Sequence, residues 1–307
     1  MNRKQLNFVL GGLALGLLAA VYFSQKKEAP KGPPLTALKA EAVTKITLQH
    51  PKTPDIVLEK KDGHWALSAP VQVAADPLEV SSLLDLATLE VHSSIAPKDV
   101  KLADLGLDPP GYDVLLNDVK LNFGNLESLS NHRYVETGGK IALIDDPPSS
   151  ALDADYSDLV GKSLLPEGAE ISAISMPSLS LARSADGKSW TVTPADPKSG
   201  SDAPQKLVDA WRAARALWNS AMPADAKPAA NADTATITLK SGQALSFVVI
   251  SRDPQFVLER ADLMVRYNLG KDAGDKMLKL EQPAPAPAAI QAPAALEKAA
   301  ENPPAGK

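Results

Sequence analysis

The sequence predicts an α+β fold of two tandem repeat units, each an antiparallel sheet of hairpins with one amphipathic helix, behind an N-terminal transmembrane helix. Three observations lead there. Residues 60–70 read Lys-Lys-Asp-Gly-His-Trp-Ala-Leu-Ser-Ala-Pro and have a counterpart at 184–194, Ser-Ala-Asp-Gly-Lys-Ser-Trp-Thr-Val-Thr-Pro. Each copy is followed by a helical pattern and then by two alternating hairpins, and similar elements recurring in order are the mark of an internal repeat. The chain also opens on an uncharged apolar run, residues 6–23.

That run is flanked by Arg3 and Lys4 on one side and by Lys26 and Lys27 on the other. As a helix, about 18 residues span about 27 Å, just enough for a hydrocarbon core of ~30 Å. It ends on Ala20-Val21-Tyr22-Phe23, bulky where a secretory cleavage site needs small residues, which favours an uncleaved signal-anchor over residues 1–27. The basic N-terminus predicts a cytoplasmic start and an exported body. Gly12, Gly16 and Ala20 recur at four-residue spacing, which would let two anchors pack as a homodimer. Residues 28–42 are rich in Pro and charge and read as an extended tether.

The first unit, residues 43–166, begins with short strands around Ile46 and Ile56 and the Asp62-Gly63 turn into Trp65 and Leu67. Asp76, Pro77 and Glu79 then form a capping-box start for a helix whose apolar stripe is Val80, Leu83, Leu84 and Ala87. Alternation at 112–123 and 133–144 predicts two hairpins, and residues 152–166 a connecting helix packed on both units. The second unit, 167–282, repeats the order. The Asp186-Gly187 turn leads to Trp190 and Val192, and Asp202 with Gln205 offers another capping box. Leu207, Trp211, Ala214, Leu217 and Trp218 mark a helical face, and hairpins follow at 235–250 and 256–267. Residues 283–307, rich in Pro and Ala, are expected to be a disordered tail.

Composition narrows function by exclusion. A net charge of -5 offers no bulk positive field for nucleic acid. The absence of cysteine removes disulfides, thiolate metal sites, a Cys nucleophile and a lipidated N-terminal Cys. His50, His64, His92 and His132 stand at no metal-ligand spacing, and His64 reads as a solvated turn residue. Gly161-Lys162-Ser163 and Gly187-Lys188-Ser189 lack the leading glycine of a phosphate loop. Asp145, Asp146, Asp153, Asp155 and Asp158 lack the order of a calcium loop and read as an exposed acidic linker. Trp65 and Trp190 occupy equivalent positions, which argues for core duty. Burying such a ring removes roughly 150–250 Å² from water, worth about 4–6 kcal/mol at most. No catalytic residue and no cofactor is expected.

The set Asp-Gly-x-Trp-x-Leu-x-x-Pro at 62–70, Ala75-Asp76, Leu-Gly-Leu-Asp-x-Pro at 105–110 and Arg-Tyr-Val at 133–135 resembles a bacterial membrane-anchored family of unknown function. The resemblance covers about residues 43–269. Leu105 stands where that family commonly has Tyr, and the second unit lacks the Leu-Gly-Leu-Asp-x-Pro segment. The resemblance implies genes beside ABC-type transporter components, including those linked to gliding motility, and supplies no catalytic residues. The resulting expectation is a non-catalytic accessory protein of the cell envelope, anchored in the inner membrane with its body in the periplasm. Its partner would be an ABC-type permease or another envelope protein. The alternative is a ligand- or glycan-binding module that uses the groove between the units.

Overall fold

The computed structural model describes residues 32–147, 152–223, 226 and 232–282. The apolar run 6–23, with Gly12, Gly16 and Ala20, and the tail 283–307 lie outside the described residues. Among the described residues no helix is long and apolar enough to cross a membrane.

Alternating short runs of apolar residues, cut by Asp-Gly, Asn-Asp and Gly-Gly pairs, fold into two antiparallel sheets with few helices, an α+β arrangement. The first sheet is built from β1 (Lys45–Gln49), β2 (Ile56–Lys61), β3 (His64–Ala69), β4 (Val73–Ala74), β5 (Val91–Ile95), β6 (Tyr112–Leu116), β7 (Val119–Leu126), β8 (Arg133–Thr137) and β9 (Lys140–Ile144). Helix α1 (Pro77–Asp85) lies between β4 and β5 in the chain. The strand order is β4-β3-β2-β1-β6-β7-β8-β9-β5.

The second sheet contains β10 (Ile171–Ser175), β11 (Ser180–Arg183), β12 (Trp190–Thr193), β13 (Trp218–Ala221), β14 (Thr234–Leu239), β15 (Ala244–Ser251), β16 (Phe256–Arg260) and β17 (Val265–Leu269). Helix α2 (Ala203–Ala213) precedes β13, and α3 (Lys271–Leu278) follows β17. Its order, β12-β11-β10-β14-β15-β16-β17-β13, reproduces that of the first sheet once the two-residue β4 is set aside. The registers agree as well. Ile46 faces Leu58 and Leu116, and Ile174 faces Leu181 and Ile237. Two sheets so matched fit the two-unit layout. Both strand-ending prolines, Pro70 and Pro194, follow cis peptide bonds.

Three expectations need correction. Each sheet ends on a strand that follows its helix, β5 or β13, where the sequence suggested none; Val-His-Ser-Ser-Ile and Trp-Asn-Ser-Ala carry too little alternating apolar character to stand out. Helix α2 stops at Ala213, with Ala214 in extended conformation, so Leu217 and Trp218 are not on its face. The connection 152–166 is not a helix but a strap of turns. In it the Asp155 carboxylate accepts from the Ser157 amide and hydroxyl, a local bond that competes with helical pairing.

The strap nevertheless packs on both sheets. Toward the first, the Asp76 amide donates to the Leu159 carbonyl and the Gly161 amide to Ala74. Toward the second, the Ala216 amide donates to Lys162 and the Leu164 amide to Ala214. Leu159, Val160 and Leu164 are buried in one apolar cluster that includes side chains of both sheets. At the N-terminal end, the tether joins the body from Gly32 onward. Its backbone pairs along residues 87–91, through Thr36 to Ala87, Leu35 to Leu89, and Val91 to Pro33.

Candidate functional site

The repeated turns are exposed and structural. Asp62 (φ 51°) and Gly63 (φ 83°) both adopt the left-handed conformation that a two-residue hairpin turn requires. Asp186 instead folds its carboxylate onto the Ser184 hydroxyl and the Lys188 amide. The Ser184 hydroxyl is the larger of the two influences holding it below the usual carboxylate range. Trp65 and Trp190, expected in the core, are half-buried and lie against its edge. The Trp190 indole donates to Gln205 on α2, and Arg183 stands 5.6 Å over its ring. The fully buried ring is Trp211, whose indole N–H donates to the Met277 carbonyl of α3.

The capping boxes are half formed. Asp76, only 2% exposed, accepts from the Leu78 amide as an N-cap should. Its own amide is committed to Leu159, so Glu79 cannot reach back to it; Glu79 faces Lys162 at 3.7 Å instead. Asp202 makes no cap bond and pairs with Lys206, while Gln205 is taken by Trp190.

The pairing of Glu79 with Lys162 points to one place. Where α1, the strap and β13 meet, a cleft of about 320 Å³ is lined by Glu79, Asp153, Asp158, Lys162, Trp218 and Asn219. Lys162 reaches both Asp76 (3.6 Å) and Glu79, so the first unit's helix start is tied to the strap by charge. Partial burial of its carboxyl in the cleft wall pushes Asp158 above the usual carboxylate range, although the residue as a whole is exposed. Asp155 and Asp153 add to the push, and the Asp155 amide and Lys162 oppose it. Asn219, 4% exposed, donates to the Val160 carbonyl; its Oδ1 has no partner among the described residues. Trp218, read above on a helical face, is 43% exposed at the cleft wall. Three carboxylates against one ammonium give the cleft a net negative charge beside an aromatic face.

The other motif residues serve the fold. The β7 strand breaks register after Phe123, and at Gly124 an added Cβ would lie 2.3 Å from the Leu105 carbonyl oxygen. Arg133 donates to the Gly124 carbonyl at 2.7 Å and pairs with Asp146. The Leu-Gly-Leu-Asp-x-Pro and Arg-Tyr-Val segments therefore converge on one β-bulge. Against this background the chain matches, over residues 65–254, the family described as domain of unknown function (DUF4340). The chain belongs to this family. The DUF4340 match begins at Trp65 in β3 and ends just before β16, so it takes in the bulge, the strap and the cleft. No curated protein and no solved structure matches the chain.

One cluster in this DUF4340 chain was not legible at all. His92 and His132, which the sequence separates, stack at 4.2 Å and 7° and both turn Nε2 toward Asp145. His50 bonds the Leu152 carbonyl, and His64 is exposed at the turn. The five acidic residues are all exposed, as expected, but they serve different places: Asp145 joins the histidines, Asp146 pairs with Arg133, and Asp153 and Asp158 line the cleft.

Proposed function

We propose that the chain is a non-catalytic accessory protein of the bacterial cell envelope. Residues 6–23 anchor it in the inner membrane, with the body in the periplasm, and it works beside an ABC-type permease through protein contacts. The observation that carries this reading is the acidic, aromatic-walled cleft between the units, which suits an Arg or Lys side chain presented by a protein partner. The turn, bulge and cap residues of the family motifs are occupied in building the body, whereas the cleft residues Asp153 and Trp218 are exposed and free to meet a partner. Packing of Gly12, Gly16 and Ala20 would pair two such anchors.

Detergent extraction followed by co-purification tests the proposal. The full-length chain should bring down an ABC-type permease, and Glu79→Gln with Trp218→Ala should lose it while the melting temperature holds. Reporter fusions after Lys27 should read as exported; a cytoplasmic signal there would overturn the reading. A second reading has one observation in its favour. A volume of about 320 Å³ is also that of a small-molecule site, as an extracytoplasmic ligand- or glycan-binding module would need. A ligand-induced thermal shift lost in Trp218→Ala, without permease capture, would favour this alternative.

A further inference from the structure

On β9, Ile144 points into the core and lies between two neighbours, Arg133 of β8 on one side and Val91 of β5 on the other. Because side chains alternate along a strand, the residues next in sequence face outward. One step beyond the Arg133 and Ile144 pair, His132 and Asp145 stand opposite each other. His92 sits where the β5 ladder shifts register between Val91 and Ser93, a bulge of the kind that re-aims a side chain. Three strand ends thus deliver two imidazoles and a carboxylate to one spot on the outer face of the first sheet.

The distances suit a metal. His92 Nε2 lies 2.8 Å and His132 Nε2 3.5 Å from the same oxygen, Asp145 Oδ1. All three ligand atoms fall within 4.8 Å of one another. Tetrahedral zinc with bonds of about 2.0–2.1 Å holds its ligands about 3.3 Å apart. The two distances to Asp145 Oδ1 lie within about 0.5 Å of that spacing, and the stacked, partly exposed rings must tilt out of their stack for both Nε2 lone pairs to aim at one ion. Two nitrogens and one oxygen form a borderline donor set that selects zinc-class divalent ions over calcium or magnesium.

We propose that His92, His132 and Asp145 bind one zinc-class divalent ion, with at least one coordination position left open. The ion would brace edge strand β5 to β9 and to the start of β8. Beside that strand the chain emerging from residues 1–31 joins the body, since the Val91 amide donates to Pro33. The open position could take a ligand from a partner, so the site would be independent of the cleft.

The test uses the untagged full-length chain, stripped of metal and titrated with Zn²⁺ against a chromophoric chelator. One equivalent should bind, with affinity reduced at least tenfold in both His92→Ala and His132→Ala and less in Asp145→Asn. His50→Ala and His64→Ala should bind as the wild type does. Zn²⁺ should raise the melting temperature of the wild type and not of the double variant His92→Ala with His132→Ala, because an ion bound only to the folded state stabilises it by mass action. Wild-type and double-variant proteins taking up Zn²⁺ with equal affinity, and with equal thermal response, would overturn the proposal. The same experiment leaves the cleft untouched, so its failure is distinct from failure of the accessory-protein reading.

Discussion

Four tryptophans divide by environment rather than by sequence position. Trp211 is wholly enclosed, tilted against Phe247 at 5.3 Å and hydrogen-bonded to α3. Trp211→Ala should cost about 3–5 kcal/mol. Trp65→Ala and Trp190→Ala, at half-buried sites, should each lower the melting temperature by less, and Trp218→Ala should barely change it. Urea denaturation of the four variants gives the order; a Trp218 variant as unstable as the Trp211 variant would contradict it. Asp158 yields a prediction in pH. An acid held above its ordinary value binds its proton more firmly in the folded chain than in the unfolded one. Its contribution to stability is therefore fullest below the ordinary carboxylate value and declines as pH rises through the raised one. Asp158→Asn keeps an oxygen to accept from the Asp155 amide and removes the charge. It should abolish that decline and be at least as stable as wild type near neutrality. Melting curves between about pH 4 and 8 check this, and a less stable variant at neutral pH would mean that the charge is held productively by Lys162.

At the scale of elements, the devices that were legible are those completed within a few residues. The Asp62-Gly63 turn, the Asp76 cap and the alternation of β6, β7 and β14 follow from local chemistry, and all are present. What could not be read depends on partners far along the chain. Glu79 and Gln205 were drawn from their boxes by Lys162 and Trp190, and His92 reaches Asp145 over 53 residues because β5 returns beside β9. The bulge in β7 is of the second kind, although its glycine was in plain view. Gly124 needs no unusual backbone angle; it is required because the Leu105 carbonyl oxygen would lie 2.3 Å from any Cβ. Gly124→Ala should therefore destabilise by about 1–3 kcal/mol, through displacement of the segment that carries Leu105 and the buried Leu107. Chemical denaturation measures this, and wild-type stability in the variant would show that the segment yields freely.

For the whole molecule the question is whether the two sheets unfold as one body. The strap divides its bonds almost residue by residue. Leu159 and Gly161 serve the first sheet through Asp76 and Ala74, whereas Val160, Lys162 and Leu164 serve the second through Asn219, Ala216 and Ala214. Tyr156 adds a bond from the strap hydroxyl to the Met264 carbonyl. Neither sheet can lose the strap without leaving polar backbone groups unpaired in an apolar setting, which is expensive. Independent unfolding is therefore disfavoured, and the full-length chain should show a single calorimetric transition whose van't Hoff and calorimetric enthalpies agree. Val160 gives the sharpest probe, because it is fully buried in the cluster shared by both sheets. Val160→Asp would place an unpaired carboxylate there and should cost about 4 kcal/mol or more. If the strap couples the sheets, that variant melts earlier and still in one transition. Two resolved transitions, or a shift confined to one of them, would mean that each sheet keeps its own stability and that the cleft between them is free to open.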